Sequence, residues 1–181
     1  MAEQKYSEVK ALKYIKHKEY SKALSYVMDS FSEPLYWHIN QMVRNHDDTD
    51  DIIQNTFLKA WKGLPNFRYD SKLSTWLYRI ATNETFTFLE KIKKDKDRDQ
   101  IYIENNGSKH ATSDITGSAI EEKLELALNT LPPKQKKVFL LRYYSEKSYE
   151  EISEILETSE GALKASYHFA VKKIKDFIQA N

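Results

Sequence analysis

The sequence predicts an all-α fold of two small helical domains joined by a flexible linker. Glycine and proline are scarce, with four of each in 181 residues, and runs of β-branched residues are few, which favours helices over strands. The composition changes near residues 91–120, where a charged run is followed by Asn, Gly, Ser and Thr without helical periodicity. Such a segment is typical of a solvated linker.

This segment divides the chain into parts. We predict one domain at residues 20–97, a linker at residues 98–117, and a second domain, containing a helix-turn-helix, at residues 118–181. Residues 1–19 are rich in lysine and carry no motif, so we assign them to a separate charged segment.

The composition excludes several classes of protein. Without cysteine there is no disulfide framework and no cysteine-based zinc site. No apolar segment resembles a signal peptide or is long enough to span a bilayer, so we expect a cytoplasmic protein without membrane insertion. The five histidines show no metal-ligand spacing, and neither a phosphate-binding glycine loop nor a nucleophile–base arrangement is evident. We therefore expect no enzyme activity, no catalytic residues, no metal and no cofactor.

The first domain contains a predicted helix at residues 49–63, closed by Gly-Leu-Pro. One face of its helical wheel is apolar and is predicted to be core: Ile53, Phe57, Ala60, Trp61 and Leu64. A neighbouring face carries polar groups around an exposed leucine: Asp47, Asp51, Gln54, Asn55 and Leu58. This face is either simply solvated or a docking surface for a basic partner.

A longer helix is predicted at residues 71–94. Its apolar face comprises Leu73, Trp76, Leu77, Ile80, Ala81 and Phe88. Its opposite face comprises Lys72, Thr75, Arg79, Thr82, Phe86 and Lys93, with Asn83 at the edge and with Phe67 and Tyr69 in the preceding loop. Cations and rings together suit a single nucleic-acid strand, since cations neutralise phosphates and rings stack on bases. The alternative is that the rings pack against neighbouring helices.

The second domain begins with a helix opened by Pro132 and Pro133, whose apolar residues are predicted to be buried: Val138, Phe139, Leu140 and Leu141. Ser148 and Glu151 then form a predicted capping box. A short helix to Leu156, a three-residue turn and a helix over residues 160–178 match a helix-turn-helix.

Charge is segregated between these last two helices. Glutamates concentrate in the first, whereas one face of the second, with its flanks, lacks carboxylates over most of its length: Gly161, Ala162, Lys164, Ala165, His168, Phe169, Lys172 and Lys173. Such a face can enter a groove lined by phosphates. The alternative is an ordinary helical hairpin with a charged surface.

Four stretches together carry a family resemblance: DDTDDIIQNTFLKAW, FRYDSKLSTWLYRIATNE, LNTLPPKQKKVFLLRYYSEKSYEEISEIL and SEGALKASYHFAVKKI. In this order and spacing they resemble the extracytoplasmic-function (ECF) sigma factors of bacterial RNA polymerase, members of the sigma-70 family. The resemblance implies a factor for promoter recognition and DNA opening at transcription initiation.

The resemblance also implies roles for particular residues. Docking on the clamp helices of the polymerase β′ subunit is expected from Asp47, Asp50, Asp51, Gln54, Asn55 and Leu58. Binding of the promoter −10 element, with one base flipped into a loop pocket, is expected from Phe67, Tyr69, Asp70, Ser71, Lys72, Thr75, Arg79, Asn83 and Phe86. Binding of the −35 element is expected from Ser159, Glu160, Gly161, Ala162, Lys164, Ala165, His168, Phe169 and Lys172.

Further partners follow from the same resemblance. The polymerase core is expected to contact the second domain through its β flap, and the linker is expected to thread through polymerase. An anti-sigma factor is expected to mask these surfaces until a signal arrives. The chain departs from many members at Ser166 and Phe169, where they carry arginine, and at Glu157, where they carry glycine. Contacts from arginine to guanine cannot form there, whereas Ala165 and Phe169 can touch thymine methyl groups.

Two other functions compete with this interpretation. A stand-alone helix-turn-helix transcriptional regulator leaves the basic and aromatic face of residues 72–93 without a role. A helical adaptor that binds only proteins predicts weak, salt-insensitive association with DNA, whereas phosphate contacts predict a steep loss of affinity with salt.

Overall fold

The computed structural model describes residues 7–106 and 119–180. All regular secondary structure in these residues is helical, which confirms the predicted all-α class. The helices are α1 (Glu8–Lys16), α2 (Tyr20–Val43), α3 (His46–Gly63), α4 (Leu73–Asn106), α5 (Ala119–Asn129), α6 (Pro133–Tyr143), α7 (Tyr149–Leu156) and α8 (Glu160–Ala180), with a short 3-10 turn at Leu64–Asn66. The chain divides into two compact units, and the boundary after Phe88 lies within α4.

The core of the first unit is formed by α1, α2, α3 and the first part of α4. Leu35 and Ile39 of α2 are fully buried in it. Helix α1 contributes Ala11 and Ile15, so this helix belongs to the unit and is not the separate charged segment that we predicted. Ala11 and Ile15 are four residues apart and share one helix face, which is the sequence signal for this packing.

Of the residues predicted to be core, Phe57, Ala60 and Leu64 are buried, but the buried face of α3 is shifted from the predicted one. Ile52 is 2% exposed, whereas Trp61, predicted to be core, is 41% exposed. The reason lies in two threonines, Thr49 and Thr56, which are fully buried on the same face as Ile52. The Thr56 hydroxyl donates to the Ile52 carbonyl at 2.8 Å, and a hydroxyl satisfied in this way costs little to bury.

In helix α4, part of the face that was predicted to be exposed is likewise buried in the core. Leu73, Leu77 and Ala81 are buried as predicted, but Thr82 is fully buried as well. Its hydroxyl lies 2.9 Å from Nε2 of the buried His38 on α2. This partner from outside the helix could not be foreseen from the local sequence.

The C-terminal end of α4 extends beyond the predicted helix. It continues to Asn106 and so enters the segment predicted as a linker from residue 98. Lysine, arginine and glutamine have high helix propensity, and a charged run rich in them can continue a helix without an apolar face. Residues 107–117, the rest of the predicted linker, lie outside the described residues.

The second unit buries the predicted apolar residues of α6: Val138, Phe139, Leu140 and Leu141. The capping box is present at the start of α7. The Glu151 N–H donates to the Ser148 hydroxyl at 3.1 Å, and the Ser148 N–H donates to the Glu151 carboxylate at 2.7 Å. Glu157, the C-cap residue that follows α7, is in the left-handed conformation, with φ at 51°, where glycine carries no steric cost.

Candidate nucleic-acid and protein interfaces

The acidic face of α3 is solvent-exposed along its length. Asn45 caps the helix by accepting the Asp48 N–H at 3.0 Å, and aspartates occupy the first turn, where carboxylates are stabilised by the helix dipole. Leu58 is 56% exposed. All six side chains expected to dock on a partner are exposed on this helix, and we call them the docking face: Asp47, Asp50, Asp51, Gln54, Asn55 and Leu58.

An apolar groove adjoins the docking face. It has a volume of about 710 Å³ and shares Asp50, Gln54 and Leu58 with the docking face. Its other lining residues come from α2 and α3: Leu24, Met28, Ser32, Glu33, Tyr36, Ile53, Phe57 and Trp61. The sequence interpretation missed the contribution of α2, although Leu24, Met28 and Tyr36 recur on one face of that helix at spacings of four and eight residues.

The loop between α3 and α4 presents one exposed ring. Phe67 is only 8% exposed, and its ring centroid lies 5.4 Å from that of Trp76 and 5.0 Å from that of Tyr69. Phe67 is part of the core, so our expectation of it as a ring free to stack on a base is wrong for this conformation. Tyr69 is 44% exposed and has φ at 63°, a backbone conformation that bulky residues rarely adopt.

The neighbouring polar residues of this loop and of α4 are only partly exposed for contact with DNA. The Asp70 carboxylate accepts from Arg68 Nε at 2.9 Å. Lys72 and Asn83 are exposed, while Ser71, Thr75 and Arg79 are half-buried. Phe86 is 4% exposed, so the prediction that it is a stacking platform on an outer face is also wrong for this conformation. The exposed surface of the loop and of α4 is therefore more polar than the sequence predicted.

The outward face of α8 agrees with the prediction from the helical wheel. Leu163, Ala170 and Ile174 are buried on the opposite side. Ala162 is half-buried, and the other expected −35 residues are exposed: Ser159, Glu160, Gly161, Lys164, Ala165, His168, Phe169 and Lys172.

The charges on α8 leave this face basic. Glu160, in the first turn, pairs with Lys164 at 2.9 Å, and the sequence from 161 to 175 contains no carboxylate. Phe169 is 54% exposed beside His168, with ring centroids 5.9 Å apart. A basic helix face with an apolar ring can contact both phosphates and base edges.

The described residues contain neither a metal-binding cluster nor a helix that could span a membrane. Among the described residues, no three histidine, aspartate or glutamate side chains are placed to hold a metal ion. None of the helices over residues 7–106 and 119–180 combines the length and the apolar character needed to cross a membrane.

Comparisons with known proteins give consistent matches over both units. The family model described as Sigma-70 region 2 matches residues 27–94, and the one described as Sigma-70, region 4 matches residues 121–174. The chain is 31% identical over 156 residues to the ECF RNA polymerase sigma factor SigW of Bacillus subtilis, covering 81% of this chain and 83% of that protein.

Two solved structures share the fold. The structure of CnrH in complex with the cytosolic domain of CnrY matches with a TM-score of 0.60 at 20% identity, over 96% of this chain and 97% of that chain. The sigma factor RpoE in complex with the anti-sigma factor NepR from Bartonella quintana matches with a TM-score of 0.52 at 24% identity, over 91% and 99%.

Proposed function

The chain belongs to the ECF sigma factors of the sigma-70 family, which direct promoter recognition and DNA opening by bacterial RNA polymerase, and we propose how its surfaces divide these tasks. The docking face binds polymerase, the loop at residues 67–72 with α4 binds the opened −10 element, and α8 binds the −35 element. The observation that carries the proposal is that the first unit has an exposed acidic face on α3, whereas the second unit has an exposed basic face on α8.

Polymerase docking is proposed for α3 because of its chemistry. Basic side chains of the β′ clamp helices would meet exposed carboxylates, while Leu58 and the adjoining groove supply apolar area to bury. Charged rims orient a partner and raise the association rate, whereas the apolar centre provides binding energy. This combination fits a specific protein partner better than an evenly solvated surface does.

Binding of the −10 strand is proposed for Tyr69, Lys72 and Asn83, which are the exposed members of the predicted set that can stack on a base, neutralise a phosphate or donate to a base edge. Asp70, Ser71, Thr75 and Arg79 lie beside them in the sequence. The buried Phe67 packs against Tyr69 and so helps to hold its ring in place. A base flipped out of the duplex would lose its stacking energy and regain part of it in the loop.

Binding of the −35 duplex is proposed for the outward face of α8. Lys164 and Lys172 would contact phosphates, while Ala165 and Phe169 would contact thymine methyl groups in the major groove. Serine stands at 166, so this chain would rely more on apolar contacts than an arginine-rich relative does. The capping box at α7 fixes the helix that precedes the turn.

We also infer further partners from the family. The second unit would meet the polymerase β flap, and an anti-sigma factor would regulate the protein. This is supported by the two matched structures, which are complexes of CnrH with the cytosolic domain of CnrY and of RpoE with the anti-sigma factor NepR. The family favours a non-catalytic protein that acts in the cytoplasm with polymerase.

The docking proposal is tested with purified core RNA polymerase. The full-length chain and its Asp51→Ala, Gln54→Ala double variant are titrated against labelled core at two salt concentrations. We expect the double variant to bind at least tenfold more weakly, because losing two interface contacts of ~1 kcal/mol each corresponds to more than one decade. Binding should weaken with salt, as partly exposed charge pairs are screened.

A matched control is present on α8. Asp176 and Gln179 are also exposed and have the same residue types and spacing as Asp51 and Gln54, so Asp176→Ala, Gln179→Ala removes the same groups elsewhere. This control should bind core like the wild type. Equal affinity of all three proteins would refute the docking assignment, and equal weakening of both double variants would show that the effect is not specific to α3.

A further inference from the structure

The first helix supplies a capping group that the start of α4 lacks. The Trp76 N–H donates to the Lys72 carbonyl at 3.0 Å, so Lys72 occupies the N-cap position of α4. A lysine side chain carries donors only and cannot accept a bond from the first N–H groups of a helix. The Leu73 N–H donates instead to Oε1 of Glu8, 65 residues away in the sequence.

The Glu8 carboxylate is suited to this position in two ways. It satisfies a backbone donor that would otherwise lack a protein acceptor, and its negative charge lies at the positive end of the α4 dipole. Glu8 is half-buried in the first turn of α1 and is therefore partly shielded from competing water.

Helix α1 is itself held firmly and also reaches the loop with its other end. Ala11 and Ile15 are buried in the core, and the Ser7 N–H donates to the Tyr26 hydroxyl at 2.8 Å. In the last turn of α1, Lys16 Nζ lies 6.0 Å from the centre of the Tyr69 ring. The short helix thus contacts both the exposed ring of the loop and the residue with which α4 begins.

We propose that Glu8 is a positioning residue for the strand-binding loop, residues 67–72. By capping α4, it fixes the backbone at Lys72 and restrains Tyr69 in its left-handed conformation before DNA arrives. A surface ordered in advance loses less conformational entropy on binding, so the displaced strand is captured more readily. The inference rests on the proposed role of this loop at the −10 element.

A positioning role differs measurably from a purely structural one. If Glu8 only stabilised the fold, its loss would reduce polymerase binding and promoter opening together, through a smaller folded fraction. If Glu8 positions the loop, its loss slows opening at unchanged affinity for core polymerase, because the docking face lies on a different helix.

The test uses the full-length chain reconstituted with core polymerase on a promoter selected by the wild-type holoenzyme. We compare Glu8→Ala, Glu8→Gln and Tyr26→Phe, with Lys72→Ala as a reference in the loop. Affinity for core is measured by titration, the rate of opening by permanganate reactivity of thymines, and folding by thermal unfolding. Tyr26→Phe removes the hydroxyl bonded to Ser7 but keeps the ring, so it perturbs α1 without touching the loop.

We expect Glu8→Ala to slow opening about fivefold, the factor that corresponds to the ~1 kcal/mol of a lost cap, with unchanged core affinity. Glu8→Gln should open within about twofold of wild type, since its amide oxygen still accepts the Leu73 N–H. Tyr26→Phe should open like wild type.

Three results would overturn the inference. Normal opening by Glu8→Ala, with slow opening by Lys72→Ala, refutes the role of Glu8 but leaves the loop assignment standing. Parallel loss of core affinity and opening in Glu8→Ala indicates a structural role instead. Normal opening by both Lys72→Ala and Glu8→Ala refutes the assignment of the loop to the −10 element, and the inference with it.

Discussion

Replacing Ser148 by alanine tests how the capping box stabilises the helix-turn-helix. The substitution removes the hydroxyl that accepts the Glu151 N–H at 3.1 Å, but it leaves the Ser148 N–H bonded to the Glu151 carboxylate at 2.7 Å. Half of the reciprocal cap is therefore lost. Alanine at an N-cap costs about 1 kcal/mol of stability, which corresponds to roughly a fivefold change in an opening equilibrium.

Hydrogen–deuterium exchange of the full-length chain measures this effect locally. Amides of α7 that exchange by local opening should exchange about fivefold faster in Ser148→Ala, while those of α2 should be unchanged. Ser145→Ala is a matched control, because the buried Ser145 hydroxyl has no hydrogen-bond partner among the described residues. Unchanged α7 exchange in Ser148→Ala, or equal acceleration in both variants, would refute the capping explanation.

Two further predictions concern the same helix. At Glu157, where φ is 51°, the Glu157→Gly variant should have a free energy of unfolding about 1 kcal/mol higher than Glu157→Ala, because only alanine has a Cβ that crowds the left-handed conformation. Equal unfolding midpoints of the two variants in urea would contradict this. Burial raises the pKa of Glu151, but the Ser148 N–H and the charge of Lys147 lower it more, so its pKa lies below the usual value. A carboxylate with a lowered pKa in the folded state stabilises the protein above its unfolded-state pKa, and this stability is lost as pH falls through the folded-state pKa. The difference in unfolding free energy between wild type and Glu151→Gln should therefore shrink on acidification. A difference that does not change with pH would show that it does not come from the charge of Glu151.

The sequence was most informative where local rules decide the structure. The capping box at Ser148 was predicted because both partners lie within four residues. The outward face of α8 was predicted from helical spacing, and Leu163, Ala170 and Ile174 are indeed buried on the opposite side. Such patterns depend on neighbours in the sequence and need no knowledge of the tertiary fold.

The errors arose where a distant partner changed the environment of a side chain. Thr82 was assigned to an outer face, yet it is buried because His38 on another helix accepts or donates a hydrogen bond at 2.9 Å. Phe67 was assigned to an exposed loop, yet it packs against Trp76. The contact of Glu8 with α4 spans 65 residues, and nothing in the local sequence indicates it.

We propose that one surface of the protein reads duplex DNA and that another holds the opened strand. The most direct test measures both steps with reconstituted holoenzyme: promoter binding at low temperature, where the duplex stays closed, and permanganate reactivity after warming. We compare two double variants. One carries Lys164→Ala and Lys172→Ala on α8, and the other carries Lys72→Ala at the start of α4 and Asn83→Ala within α4. The α8 variant should weaken closed binding and lower its salt dependence by about one unit of slope per lysine. The α4 variant should bind the closed promoter like wild type and open it more slowly, whereas equal loss of closed binding in both variants would contradict the account.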